Sequence, residues 1–287
     1  MHALFVSSLN RHCTAVCLIL LGITQDPVTG NYGMVIQYEK HGNIRSCLKS
    51  RKTISQSSYA KINFIRMLTE GLAQIHAEGI LHYDLHSGNI LVAKNPSEHS
   101  TIQISDLGLS CSANKSLSDG KICGVLPYLA PEVLRGYPYT DKAEIYSLGM
   151  LAWEILTGEL PFSVCSHDAD LAHRVCSGER PDIPIEIPEF YKEFICMCWN
   201  ADPLLRPSAE DLNLAMKEML QILVKLASIQ KTHVDNIEMI PQCRNTPNTS
   251  THPGAVYTSR SFTVKDLEIP NGIVALFHLT FQCSHIN

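Results

Sequence analysis

The sequence predicts an α+β protein in which helices dominate and the β-structure is a small antiparallel piece near the N-terminus. Over residues 58–79 the apolar side chains Ile62, Ile65, Leu68, Leu72 and Ile75 recur at three and four, one stripe of a helix capped by Gly79. Residues 143–157 are apolar nearly all round, with Ile145, Leu148, Met150, Leu151, Trp153, Ile155 and Leu156, the pattern of a buried helix. Ahead of both, residues 17–24 and 34–38 are strand-forming runs, and Asp26-Pro27 and Gly30-Asn31 turn the chain between them.

The remaining elements follow in order. Periodic stretches at 169–176, 190–199 and 209–226 are separated by Pro-containing turns, among them Arg180-Pro181 and Asp202-Pro203, and complete a helical lobe. After Lys231 the periodicity fades, and residues 245–261 are crowded with Thr, Ser, Asn and Pro, so a poorly ordered tail is expected over 227–287. Residues 273–281 are apolar enough for a strand or a short docking segment.

Composition excludes several classes. The 287 residues are 45% hydrophobic and 18% charged, an ordinary globular balance. A net charge of −5 without runs of like charge gives no field for nucleic acid or anionic lipid. The apolar run 13–23, behind Arg11 and His12, is too short to span a membrane and no convincing cleavage site follows it. Eleven cysteines without a C-x-x-C pair read as reduced thiols of a cytoplasmic or nuclear protein.

The chemistry concentrates in residues 81–92, L-H-Y-D-L-H-S-G-N-I-L-V. A polar loop carries Asp84 and, five residues on, Asn89, and runs straight into the apolar strand 90–92. Fourteen residues past Val92, a second strand end delivers Asp106 into the turn Asp106-Leu107-Gly108. Mg²⁺ takes oxygen ligands and commonly uses one or two protein groups plus substrate phosphates, which Asn89 and Asp106 suit. Asp84 is then free to accept a hydroxyl proton.

These segments, H-Y-D-L-H-S-G-N, D-L-G and the A-P-E at Ala130, Pro131 and Glu132, resemble the protein-kinase signatures H-R-D-L-x-x-x-N, D-F-G and A-P-E in order and interval. By these residues the chain is identified as a member of the protein kinase family, of the tyrosine-kinase-like or serine/threonine type suggested by Cys198-Trp199 and Asp202-Pro203-x-x-Arg206-Pro207. The resemblance implies a kinase-like fold, mainly the large lobe. Residues 1–16 would be an unassigned leader, 17–42 a small-lobe remnant and hinge, 43–226 the large lobe and 227–287 the tail.

It further implies ATP and Mg²⁺ as cofactors and a protein substrate that the sequence leaves unspecified. The catalytic set is Asp84, His86, Asn89 and Asp106, with Asn89 and Asp106 on the metal. Backbone groups of Gln37 and Glu39 face adenine, Leu91 forms the floor beneath it and Ile36 is the gatekeeper. Glu132 and Arg206 form a structural ion pair, and Glu144 braces the catalytic loop. The stretch from Asp106 to Glu132, rich in Ser and Gly, corresponds to an activation loop.

Departures from the family pattern shape the expected activity. No G-x-G-x-x-G loop or V-A-I-K strand stands ahead of the hinge, so the chain reads as N-terminally truncated relative to the family and its phosphate clamp as missing. Tyr83 replaces an Arg, His86 a Lys that steadies the transferring phosphate, Val125 a Thr and Glu144 an Asp. The alternatives are a pseudokinase or truncated kinase serving as a binding module, and an incomplete gene product that folds poorly.

Overall fold

The computed structural model describes residues 20–50, 57–93, 101–106, 111–112, 121–234, 240, 251–263 and 267. The first two elements form a hairpin: β1 (Leu20–Gln25) pairs antiparallel with β2 (Tyr32–Ile36), Gln25 opposite Tyr32 and Gly22 opposite Val35. The second strand lies two residues earlier than the apolar run 34–38 suggests. The turn is tight, with the Asp26 N–H donating to Asn31 O and the Gly30 N–H to Asp26 O, each at 2.9 Å, so pairing starts at once. Little of the hairpin is covered: Leu21 is 64% and Met34 59% exposed.

Gly42, at φ +71°, reverses the chain into α1 (Ile44–Ser50). In α2 (Ser58–Ala77) the Ser57 side chain caps the first turn by accepting from the Ala60 N–H. Its apolar stripe Ile62, Ile65, Leu68, Leu72 and Ile75 is at most 1% exposed. The cap residue at its far end is Glu78, and the left-handed Gly79 follows it by one. Short antiparallel pairs come next: β3 (Ile80–Leu81) with a later strand, and β4 (Ile90–Val92) with β5 (Ile102–Ile104). The partner of β3 is β6 (Cys111–Ser112), and β7 (Lys121–Gly124) precedes α3 (Pro131–Leu134).

The buried helix of the sequence is α4 (Asp141–Thr157), and every residue from Ala143 to Thr157 is buried. Each fully buried Leu or Ile stabilises by about 1.5–3 kcal/mol, which makes α4 the centre of the core. It packs against α2 and against α6 (Glu189–Cys198), which follows α5 (Ala169–Cys176); α7 (Ala209–Ile229) lies along α2. A Ser208–Asp211 capping box starts α7. These are the mixed helices and small antiparallel sheets of an α+β kinase-like fold. Among the described residues no helix is long and apolar enough to cross a membrane.

The described part of the tail departs from the expectation of poor order over 227–287. Helix α7 runs past that boundary to Ile229, and residues 251–263 return to the body of the protein to end in β8 (Arg260–Thr263), paired antiparallel with β7. Composition averages over the Ser and Thr here. Tyr257 and Phe262 pack against the core, and β8 satisfies its backbone on an edge that β7 offers. The leader 1–16, residues 107–110 and 113–120 of the loop after β5, and the apolar run 273–281 lie outside the described residues.

Candidate active site

The loop between β3 and β4 is pinned from below by α4. Glu144, fully buried, accepts the Tyr83 N–H on Oε1 at 2.8 Å, while its Oε2 lies 2.8 Å from His76 Nε2. That bond holds Tyr83 at φ +69°, a left-handed backbone uncommon outside glycine, and its ring stacks on Tyr139 at 4.5 Å. The kink turns Asp84 inward, where it is 7% exposed.

Histidines 82 and 86 tie the next residues together. The Asp84 N–H donates to His82 Nδ1 at 3.2 Å, which leaves the proton on Nε2 to donate to Ser105 O at 2.9 Å. Ser105 in turn donates to Asn89 O from its N–H at 2.8 Å and from its hydroxyl at 2.9 Å. The turn after β5 is thereby fastened to the catalytic loop. Asp106, exposed and at φ +60°, is the residue after that fastening. The Asn89 amide nitrogen donates to Asp84 O at 2.9 Å and reaches Asp84 Oδ2 at 3.3 Å.

The Gly88 N–H donates to His86 Nδ1 at 3.0 Å, so His86 presents a protonated Nε2, 3.5 Å from Asp84 Oδ2 and 3.2 Å from Ser259 Oγ. The Ser259 hydroxyl itself donates to Asp84 Oδ2. Asp84 Oδ1 is buried without a hydrogen-bond partner among the described residues. Burial alone would push the Asp84 carboxyl up. The hydrogen bonds from His86 and Ser259, with the charges of His86 and His82, outweigh it and hold the group below the usual carboxylate range. Asp84 is therefore an ionised, enclosed carboxylate.

Residues that the sequence did not single out support this arrangement. Arg45 on α1 donates to Ser87 Oγ at 3.0 Å and sits 3.4 Å from His86 Nδ1. The Ser87 hydroxyl is 3.2 Å from Tyr128 OH, and Tyr128 donates to Glu154 Oε2 at 2.6 Å. Burial raises the Glu154 carboxyl to about 7 against the lowering effect of that bond. Nothing marks these residues in the sequence, since Arg45 begins an ordinary short helix and Glu154 sits in an apolar run.

The other expected positions fall as follows. Gln37 and Glu39 lie just past β2, the Gln37 amide donating to Glu39 Oε1 at 2.8 Å, and Glu39 O accepts from the Gly42 N–H at 3.1 Å. Leu91, in the middle of β4, is half-buried, and Ile36 is 45% exposed. Arg206, almost fully buried, grips Glu132 with its two terminal guanidinium nitrogens, at 2.6 and 2.8 Å. Val125 precedes the turn that carries Tyr128.

For a divalent cation the protein offers few donors. Among the described residues no three His, Cys, Asp or Glu are grouped to hold a metal. The Asn89 nitrogen is spent on Asp84, which leaves its side-chain oxygen available, and the Asp106 carboxylate faces solvent one residue past Ser105. Oxygen donors of this kind suit Mg²⁺, which keeps waters and phosphate oxygens in its shell.

A sequence model described as the protein kinase domain matches residues 5–216. The chain is 34% identical over 196 residues to the probable serine/threonine-protein kinase roco8 of Dictyostelium discoideum, across 66% of this chain and 10% of that protein. It is 28% identical over 234 residues to the dual specificity protein kinase zakA of the same organism, across 77% of this chain and 29% of that protein. With the serine/threonine/tyrosine-protein kinase HT1 of Arabidopsis thaliana the identity is 28% over 182 residues, 63% of this chain and 45% of that one. The chain thus spans less than half the length of these relatives. With the domain matched over most of its length, the chain belongs to the protein kinase family.

Proposed function

We propose that this chain transfers the γ-phosphoryl group of ATP to a serine or threonine hydroxyl of a protein, with tyrosine the less favoured acceptor. One observation carries the reading: Asp84 is buried and ionised, and a serine hydroxyl already donates to its Oδ2. Asp84 orients the attacking oxygen and takes its proton, while Asn89 fixes the carboxylate through its amide. His86 Nε2 supplies a donor to that serine hydroxyl and lies 3.5 Å from Asp84 Oδ2. Asn89 and Asp106 would hold Mg²⁺, which supplies charge neutralisation on the phosphates when bound. Backbone groups at Gln37 and Glu39 and the half-buried Leu91 would receive the adenine.

The test is transfer of labelled phosphate from Mg-ATP to a mixed protein substrate, with Asp84→Asn as the control. Slow transfer, lost in the variant, is expected. Equal labelling by both proteins would overturn the assignment.

A second reading, a binding module without catalysis, has its own observation. Neither β1 nor β2 carries a Lys or Arg, so the hairpin contributes no cation to a nucleotide's phosphates. Losing one preorganised donor costs on the order of 10² to 10³ in rate. Failure of the labelling test with Mg-ATP binding intact would favour this reading.

A further inference from the structure

Residues 251–263 run through the cleft in contact with the catalytic loop and the segment ahead of the A-P-E motif. The His252 N–H donates to Ser163 O, and the His167 N–H to Gly254 O, both at 2.9 Å. The His167 ring then serves as a clamp: Nδ1 lies 2.9 Å from Val256 O and 3.1 Å from Val256 N, and Nε2 lies 3.2 Å from Phe162 O. Arg45 donates to Tyr257 O at 2.5 Å and lies 5.3 Å from the Tyr257 ring centroid. That ring meets His167 edge-on at 4.7 Å, and its hydroxyl donates to Pro161 O at 2.8 Å.

Two residues further, Ser259 reaches Asp84 and His86. The chain then becomes β8, with Arg260 opposite Gly124, Ser261 opposite Cys123 and Phe262 opposite Ile122. Arg260 donates to His167 O and its guanidinium lies 4.9 Å from the Phe262 ring. Strand addition of this kind is a general way to bind an extended peptide, with main-chain bonds giving affinity and alternate side chains giving specificity.

The hydroxyl is also where the chemistry requires one. In the scheme above an alcohol must give its proton to Asp84, and Ser259 Oγ occupies that position with its O–H on Oδ2 and an acceptor lone pair on His86 Nε2–H. Nothing in the packing of a tail demands that its serine be the residue meeting the proton acceptor.

We propose that residues 251–263 are the site's own peptide substrate, held in the acceptor groove with Ser259 as the hydroxyl to be phosphorylated. This rests on the phosphotransferase reading. In the step, a bond forms between Ser259 Oγ and the γ-phosphorus of a nucleoside triphosphate, and the bond from that phosphorus to the bridging oxygen breaks. The electron pair leaves with the nucleoside diphosphate and the hydroxyl proton goes to Asp84. Holding the acceptor in the same chain raises its effective concentration, so transfer weak toward free substrates still reaches Ser259. The product carries about two negative charges beside Asp84, which repels the segment and opens the groove. External substrates would be extended peptides with an aromatic residue two before the serine and a basic one after it.

Full-length chain, its Ser259→Ala and Ser259→Glu variants and Asp84→Asn would be incubated with Mg-ATP, followed by phosphopeptide mass spectrometry and hydrogen exchange. Phosphate is expected on Ser259 of the unaltered chain only, with a first-order rate constant independent of protein concentration. Exchange over Lys121–Gly124 should rise about tenfold in Ser259→Glu and on phosphorylation, from release of the β8 pairing, and change little in Ser259→Ala. Phosphate on an added protein substrate but never on Ser259 would overturn the proposal while leaving the kinase reading intact. So would Lys121–Gly124 exchanging as fast in the unaltered chain as in Ser259→Glu. No transfer to any acceptor removes the kinase reading and the acceptor role together, and the exchange comparison still decides whether the segment occupies the groove.

Discussion

Glu144 Oε1 accepts the backbone N–H of Tyr83 at 2.8 Å, and through that one bond a buried helix sets the conformation of the catalytic loop. Glu144→Ala would remove the acceptor of the buried Tyr83 N–H and the partner of the half-buried His76 Nε2. A hydrogen bond to a charged group is worth about 1.5–3 kcal/mol, and a donor left unsatisfied adds to the loss, so a destabilisation of about 3 kcal/mol is expected. Urea unfolding of the two proteins measures it. A change below about 0.5 kcal/mol, the usual range for surface substitutions, would mean that the brace does not matter.

The Arg206–Glu132 pair makes a different prediction, because its cost lies in breaking it. Arg206→Met should lose about 3–5 kcal/mol by leaving Glu132 uncompensated, whereas the double variant Arg206→Met, Glu132→Leu should recover much of that. Additive losses in the double-mutant cycle would show that the two side chains act independently.

Glu154 makes stability depend on pH. Its carboxyl titrates at about 7 when folded, against an ordinary 4.5. The unfolded chain therefore gives up this proton first as pH rises, and stability falls across the window between those two values. The full loss is about 3 kcal/mol at about 1.4 kcal/mol per pH unit. Glu154→Gln removes this term, so the variant should gain on the unaltered chain from pH 4.5 upward and level off above 7. Parallel stability curves would refute the assignment.

Nucleotide binding should be insensitive to the terminal phosphate. With no cation on β1 or β2 to hold it, Mg-ATP should raise the melting temperature little more than Mg-ADP. Saturation at a hundred times the dissociation constant would add about 2.7 kcal/mol, so a large shift specific to the triphosphate would reveal a clamp supplied from elsewhere.

The hairpin should be the first part to open. An isolated pair of strands is marginal in water, and β1–β2 exposes Leu21, Ile23 and Met34, whereas α4 is buried throughout. Hydrogen exchange over β1 and β2 is expected to be orders of magnitude faster than over α4. Equal protection would require a partner surface on the hairpin.

Sequence reasoning read the longer helices, α2 and α4 to α7, well because each had a periodic apolar stripe or, in α4, a continuous one. It placed β2 two residues late, since the apolar run continues past the point where the turn lets pairing begin. Asp84 and Asn89 were legible because a short loop between strands constrains their spacing. Arg45, His167 and Ser259 were not: each takes its meaning from a contact with a residue remote in the chain, such as the 175 positions between Ser259 and Asp84. A Ser/Thr-rich stretch that docks through two aromatic side chains and one strand edge has the composition of one that does not.

Gly124 offers a way to address one half of the cleft without the other. Its φ is +141°, and a Cβ there would lie 2.9 Å from Leu129 Cδ2 and 3.7 Å from Asp84 Oδ1. Alanine at this position would strain the edge strand where it passes Asp84, while the residues expected to meet a nucleotide, Gln37, Glu39, Leu91, Asn89 and Asp106, lie on other segments. Gly124→Ala is therefore a separation-of-function handle: a chain blind to peptide, its own or another's, yet still able to report on nucleotide alone.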